Sequence, residues 1–295
     1  MTRAYRIDAK LCRGDGLCVA VCPKRVLEIA EGKARAVEGR VRHCLLCGQC
    51  MAVCVHDAIE VEGLSRADFP PLRRHAFAPE DFETFLAERR SVRTFKDQPV
   101  SRELLERIAR AAAFAPMGFP PHSTSILIFD RREDLDRLAA ELRRGYGKLL
   151  DMYRNPFLRL IIRLKRGAET MHAMRTHVLQ IVEEDNERFR ERGEDGYLYG
   201  APALLLFHAN RWSVAYQENA MLVAAYAMLE AQALGLGSTV LSIVPPLINN
   251  MPGMREPYGL GQDDVVVLGL IVGHPKYKYH RAIERKLAGV RYLRP

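Results

Sequence analysis

The sequence predicts an α+β protein in two parts, a small cysteine-rich unit followed by a larger domain of helices and strands. Three observations carry this. All seven cysteines lie between residues 12 and 54 of 295. Residues 64–80, with Pro70, Pro71 and Pro79, show no apolar period and read as a linker. From Asp81 onward, helical and strand-like stretches alternate. The expected boundaries are therefore 1–63, a linker over 64–80, and 81–295.

Composition excludes several classes. Hydrophobic residues make up 48% and charged residues 27%, as in an ordinary globular chain. The formal charge of +8 is spread without an aromatic-interleaved basic surface or a DNA-binding motif, which argues against nucleic acid. The N-terminus lacks the apolar core of an export signal. The longest apolar run, 220–229, is too short to span a bilayer and meets Glu230 at once, so membrane contact is not expected. A cytoplasmic location is expected, where cysteines stay reduced.

The front unit contains a repeat. Residues 12–29, CRGDGLCVAVCPKRVLEI, align with residues 44–61, CLLCGQCMAVCVHDAIEV, at an offset of 32. Cys12, Cys18 and Cys22 fall opposite Cys44, Cys50 and Cys54, and Asp15 falls opposite Cys47. So short a duplication has almost no room for a hydrophobic core and needs a metal to hold it. Cys44-x2-Cys47-x2-Cys50-x3-Cys54 has the spacing of a bacterial iron–sulfur run. Residues three apart curl around a cubane, and the helix that follows carries the fourth sulfur away. Three cysteines so close together would crowd a single tetrahedral zinc, the rival reading.

This unit resembles a bacterial two-cluster ferredoxin. On that resemblance, one 4Fe-4S cluster takes Cys22, Cys44, Cys47 and Cys50. The other takes Cys12, Cys18 and Cys54, with Asp15 facing its fourth iron. Carboxylate is a harder ligand than thiolate and binds iron more exchangeably. The second site could be an aspartate-ligated 4Fe-4S cluster, a 3Fe-4S cluster, or empty. The intact Gly16 and Cys18 argue against simple decay.

In the larger unit, Ser101 is a good N-cap for a helix that Pro116 stops near Ala115. Ile126–Phe129 reads as a strand, and a helix follows from Asp130. Ala203–His208 and Val265–Val272 are apolar runs typical of buried strands. Gln217–Leu234 is apolar nearly all round, which predicts a helix buried on several faces. Residues 145–200 read as a charged helical insertion between core elements.

Arg89, Arg90, Ser91 and Arg93, in ERRSVRTF, offer the charged forks and short hydroxyl that a phosphate oxygen accepts from. A solvated helix end is the plainer reading. This octapeptide resembles the phosphate motif of the nitroreductase-like flavoproteins. Three later stretches resemble the same family in the same order: AAAFAPMGFPPHS, ENAMLVAAYAMLEAQALGLGS and VVVLGLIVGHPKYKYHR. The resemblance covers residues 81–295 and implies an α/β/α domain that binds FMN. The whole chain resembles a ferredoxin–nitroreductase fusion.

Carried over by position, Arg89, Ser91 and Arg93 match contacts to the flavin phosphate and ribityl chain. Pro116, Met117 and Gly118 match a loop that reaches the ring from a partner subunit. Leu241 and Ser242 fall where the family faces the flavin N5 edge. Arg281 or Arg285 would supply a late basic contact. The family's polar Asn and Gln are here Pro120 and His122, and Ile243 stands where a glycine is common. His122 could still bond the flavin, or simply lie half-exposed beside a strand.

No acid, base or nucleophile stands out, so the catalytic residues are unknown. No dinucleotide fingerprint appears, because Gly235 and Gly237 close a helix rather than open one. The resemblance implies a homodimer and an external donor such as ferredoxin. Electrons would pass through the clusters to FMN and on to a nitroaromatic, quinone or enone. Rivals are flavin breakdown, a dehalogenation-type reaction, and non-catalytic electron transfer or redox sensing. The insertion reads as a lid, a partner-docking or membrane-surface helix, or a helix packed on a dimer mate. His172 and His177, five apart, do not share a face as ligands. Tyr197 and Tyr199 could offer hydroxyls but more ordinarily pack.

Overall fold

The cysteine repeat folds into two crossed halves. A computed structural model describes residues 5–72, 78–118, 123–251, 253–283 and 285–293, with the backbone alone at 162, 165, 166, 170, 173, 174 and 177. Pro120 and His122 lie outside the described residues. The chain divides into two compact units. Met1–Phe77 groups with Met117 and Gly118, and Ala78–Pro116 groups with Ser123–Pro295.

The front unit runs β1 (Tyr5–Ile7), α1 (Leu17–Ala20), β2 (Leu27–Ala30), β3 (Lys33–Ala36), α2 (Gln49–Val53) and β4 (Ile59–Val61). β1 pairs antiparallel with β4, Tyr5 opposite Val61. β2 and β3 form a hairpin closed by Glu31 and Gly32, with φ of 52° and 70°. Two left-handed residues give the turn whose twist matches paired strands. A Cβ on Gly14 would lie 2.1 Å from the Gly32 carbonyl oxygen, so only glycine lets the first cysteine loop pass this turn. The core is small: Val26, Leu27, Met51, Ile59 and Val61 with Cys12, Cys18 and Cys50.

Residues 64–80 correct the expected linker at both ends. Ser65 caps a 3-10 turn, Arg66–Asp68, its hydroxyl accepting from the Ala67 amide at 3.3 Å. The Phe69 ring lies 2.7 Å from where a Gly48 Cβ would stand. An apolar ring with an apolar seat thus extends the front unit beyond Gly63. α3 (Pro79–Glu88) already begins inside the expected linker, because proline suits the first turn of a helix.

The second unit continues with α4 (Arg102–Ala112), β5 (Thr124–Phe129), α5 (Arg132–Arg154), α6 (Pro156–Ala173), α7 (Leu179–Arg192) and β6 (Ala203–Asn210). It ends with α8 (Tyr216–Ala233), β7 (Gly237–Leu241), α9 (Val244–Asn250) and β8 (Asp264–Gly273). Ser101 caps α4 as expected, accepting from the Leu104 amide at 3.4 Å. The sheet has the order β5-β6-β8-β7, antiparallel throughout. Strand side chains alternate between faces. On β6, Leu204 and Leu206 join the core built with α5, α7 and α9, while Ala203, Leu205 and Phe207 are buried without belonging to it. α8 packs on α4 and across all four strands. Helices therefore cover both faces, the α+β layering the sequence predicts.

The expected insertion start at 145 falls inside a single helix. α5 buries Leu135, Leu138, Leu142, Tyr146 and Leu150 on one stripe, so it is a core element from Arg132 to Arg154. The irregular part lies further on. Gly167 breaks α6 at φ 84°, and Met174–Val178 forms a turn of π-helix. α8 differs from its expectation too. One face buries Ala220, Val223, Ala224, Ala227 and Ala231, but Met221 and Leu222 are 58% and 41% exposed.

Candidate functional site

The cysteines line two cavities. Cys22, Cys44, Cys47 and Cys50 line one, with Tyr5 and Leu64. Cys12, Asp15, Cys18 and Cys54 line another, with His56. Each cavity thus draws one cysteine from the other half of the repeat. Gly16 and Gly48 stand at the N-caps of α1 and α2 with φ of 77° and 70°. Those left-handed glycines turn the chain, so that the residues before and after them face one cavity.

Donors surround the sulfurs. Cys44 Sγ accepts from the Tyr5 hydroxyl at 2.9 Å and from the Leu46 amide at 3.4 Å. Cys12 Sγ accepts from the Ala34 amide at 3.3 Å, and Cys54 Sγ from the Ala58 amide at 3.4 Å. Burial, reinforced by neighbouring Cys47 and Cys44, pushes the Cys50 thiol up to about 12. Burial and the adjacent Cys54, Cys12 and Asp15 push the Cys18 thiol up as well. Such crowding of acidic groups calls for positive charge between them. Among the described residues, no three His, Cys, Asp or Glu side chains converge on a single ion. Four sulfurs on one cavity, and three with a carboxylate on the other, fit multi-iron clusters. Asp15 Oδ1 accepts from the Leu17 amide at 3.1 Å, and its Oδ2 lies 3.9 Å from His56 Nε2.

In the second unit, the chain leaves α3 at Arg89 and runs extended beside β7. The Val92 amide donates to the Ser238 carbonyl at 3.0 Å, and Thr239 Oγ1 donates to the Val92 carbonyl at 2.6 Å. A Cβ on Gly237 would stand 2.7 Å from the Val92 side chain, so glycine permits this approach. Further on, the Lys96 amide donates to the His274 carbonyl at 2.8 Å and the Lys276 amide to Thr94 at 3.1 Å. These bonds tie the arginine segment to the chain leaving β8.

Two adjoining clefts result. Arg89, Arg90, Ser91, Arg93, Tyr279 and Arg285 line one. Arg89, Arg90, Gln232, Ser238, Lys278 and Arg281 line the other, larger one. Glu88 also borders the larger cleft. Among the described residues no ion pair engages Arg89, Arg93, Arg281 or Arg285. Arg90 is different. Its guanidinium donates to the carbonyls of Ala87, Arg89 and Arg281 at 2.7, 2.6 and 2.6 Å, fastening the tail to the end of α3. Arg90 Nε and Gln232 Oε1 are buried with no hydrogen-bond partner among the described residues. Guanidiniums with no carboxylate partner among the described residues, beside orphaned polar atoms, fit an anionic, hydrogen-bonding cofactor.

Other predicted residues stand elsewhere. Pro116, Met117, Gly118, Leu241 and Ser242 line neither cleft. Leu241 is buried at the end of β7, and Ser242 and Pro116 are exposed. Tyr197 is buried and stacks on Tyr146 at 5.7 Å, whereas Tyr199 lies under the Arg93 guanidinium at 5.8 Å. The sequence offered no sign of Tyr5, whereas Gln232 and Ser238 lie inside the resembling stretch 218–238 without standing out in it. His56 was findable as the polar residue two beyond Cys54.

Paired sulfur-walled cavities and a cationic cleft in one α+β chain define a two-part redox protein. Residues 4–55 match the model of a 4Fe-4S dicluster domain, and residues 86–274 match that of the nitroreductase family. A Bacteroides fragilis nitroreductase with bound FMN is 16% identical, with a TM-score of 0.54 over 73% of this chain and 99% of that one. A nitroreductase with bound FMN from Desulfitobacterium hafniense is 19% identical, with a TM-score of 0.49 over 71% and 97%. An FMN-dependent nitroreductase from Clostridium difficile is 20% identical, with a TM-score of 0.44 over 68% and 90%. No curated protein matches the chain. The chain belongs to the nitroreductase family of FMN-dependent oxidoreductases, with a 4Fe-4S dicluster domain at its front. Among the described residues, no helix is long and apolar enough to cross a membrane.

Proposed function

We propose that this chain is an iron–sulfur flavoprotein that carries electrons from a one-electron donor, such as reduced ferredoxin, to a small organic acceptor. The acceptor is of the nitroaromatic, quinone or enone class. The observation that carries this reading is the presence of two sulfur-walled cavities and an arginine cleft in one polypeptide. When bound, clusters exchange single electrons and FMN one or two, which joins one-electron supply to two-electron chemistry.

The protein's own part is binding and placement. Cys22, Cys44, Cys47 and Cys50 hold one cluster. Cys12, Cys18 and Cys54 hold the other, with Asp15 as a weaker oxygen ligand at its open corner. Arg89, Ser91 and Arg93 hold the FMN phosphate, with Arg281 or Arg285 as a late basic contact. Arg90 braces that cleft through main-chain carbonyls. The exposed Met221, Leu222 and Tyr226 of α8 support a homodimer, since apolar side chains on one helix seek cover. Pro116, Met117 and Gly118 then serve the flavin of the second copy.

Anaerobic purification with iron, sulfide and flavin measured per chain tests this. About eight irons, or about seven with a three-iron centre, and one flavin are expected. Reduced ferredoxin should bleach the protein, and some acceptor of a nitroaromatic, quinone and enone panel should restore its colour repeatedly. Colourless protein, or no turnover with any of them, overturns the proposal. Light scattering should give a dimer that Met221→Glu weakens.

A further inference from the structure

Tyr5 places a hydroxyl where the fold itself has no use for one. Its backbone pairs with Val61 in a two-stranded sheet, and its side chain lines the cavity of Cys22, Cys44, Cys47 and Cys50. The hydroxyl donates to Cys44 Sγ at 2.9 Å, across 39 residues of chain. The Leu46 amide donates to the same sulfur at 3.4 Å.

The repeat has no counterpart to this contact. At the offset of 32 that carries Cys12 onto Cys44, Tyr5 falls opposite Val37, which has no hydroxyl. Cys12 Sγ accepts from the main-chain amide of Ala34. Two halves alike in their cysteines therefore differ in the side-chain donor on an equivalent sulfur.

We propose that Tyr5 sets the reduction potential of the centre held by Cys22, Cys44, Cys47 and Cys50, and so makes the two clusters unequal. This rests on the cluster reading above. Reduction adds one electron, and part of the added charge resides on the ligand sulfurs. A donor fixed on such a sulfur stabilises the more negative state more, and so raises the potential. The apolar Val26, Val61 and Leu64 around the cavity strengthen the effect by keeping the local dielectric low. No bond forms or breaks. The phenol keeps its proton, and the electron comes from the solution reductant. Tyr5 is a positioning residue that acts through Cys44.

The test is an anaerobic redox titration of the full chain, followed by magnetic resonance, for the wild type, Tyr5→Phe and Asp15→Cys. Phe keeps the ring and deletes only the hydroxyl. Asp15→Cys marks the signal of the other cavity. The expected result is a downward shift of one midpoint by about 59 mV, a tenfold change in the one-electron equilibrium. The midpoint that Asp15→Cys alters should stay in place. Loss of one exchangeable-proton coupling from the reduced cluster should accompany the shift. Full iron and sulfide with both midpoints unmoved overturns the proposal alone. A wild type without iron and sulfide overturns the cluster reading and this proposal with it. If Tyr5→Phe does not assemble, 3-fluorotyrosine at position 5, a stronger donor of similar shape, should raise the same midpoint, and an unmoved midpoint again overturns it.

Discussion

Thr239 Oγ1 donates to the Val92 carbonyl at 2.6 Å, with Thr239 and Val92 both buried. This single bond helps fix the register of the arginine segment against β7. Thr239→Val keeps the shape and leaves the carbonyl without its partner. A loss of about 1–3 kcal/mol is expected, because a buried acceptor is then unsatisfied. Denaturant unfolding measures it, and weaker FMN binding should accompany it as Ser91 and Arg93 lose their seat.

Arg89→Ala and Arg93→Ala should each weaken FMN about 10- to 100-fold, the range of a charge-assisted hydrogen bond. Arg93→Lys should recover only part of the loss, since an ammonium cannot reproduce the guanidinium fork. Fluorescence titration of the flavin-free protein gives these affinities. Equal affinity in all three variants would assign the phosphate elsewhere.

Gly145 sits in α5 where a Cβ would lie 2.3 Å from Leu247 Cδ2 and 2.5 Å from Met251 Sδ. Alanine is ordinarily the better helix residue by about 1 kcal/mol. Here overpacking against α9 costs about 1–3 kcal/mol, so Gly145→Ala should give no net gain and most plainly a loss. A lower thermal midpoint, with flavin content retained, is the expected outcome.

His208 on β6 is partly buried, its Nδ1 has no hydrogen-bond partner among the described residues, and Asp264 Oδ1 lies 4.0 Å away. Burial lowers its pKa below the usual 6.5, and Asp264 opposes this more weakly. Below pH 6.5 the unfolded chain therefore binds more protons than the folded one. Stability from this group is complete above that value and is lost as the pH falls toward the folded pKa. Urea midpoints between about pH 5 and about pH 8 should show this slope in the wild type and less of it in His208→Phe.

The cysteine framework was legible because a cluster demands sulfurs at fixed spacing, and the repeat shows that spacing once in full and once with Asp15 in place of a cysteine. The strand over 126–129 was legible from its apolar run, although pairing with β6 extends it back to Thr124. The start of the insertion was not. The charged face of α5 hides the stripe from Leu135 to Leu150, which only packing reveals. Phe69 looked like linker because its partner is Gly48, distant in sequence and lacking a side chain to pattern. The Arg89–Arg93 segment was legible as a donor set. Its neighbours Gln232 and Ser238 lie more than a hundred residues away, in a stretch that reads only as a helix and its closing turn.

The crossed cysteines bear on how this protein meets iron shortage. Cys22 serves the cavity walled mainly by the later half, and Cys54 the cavity walled by the earlier one. A chain cut or shortened near the Glu31–Gly32 turn would leave both walls incomplete at once. On the proposed ligand sets, assembly of the two centres is thereby coupled to one folding event. Partial starvation should produce a mixture of fully loaded and collapsed molecules, with few that keep a single centre.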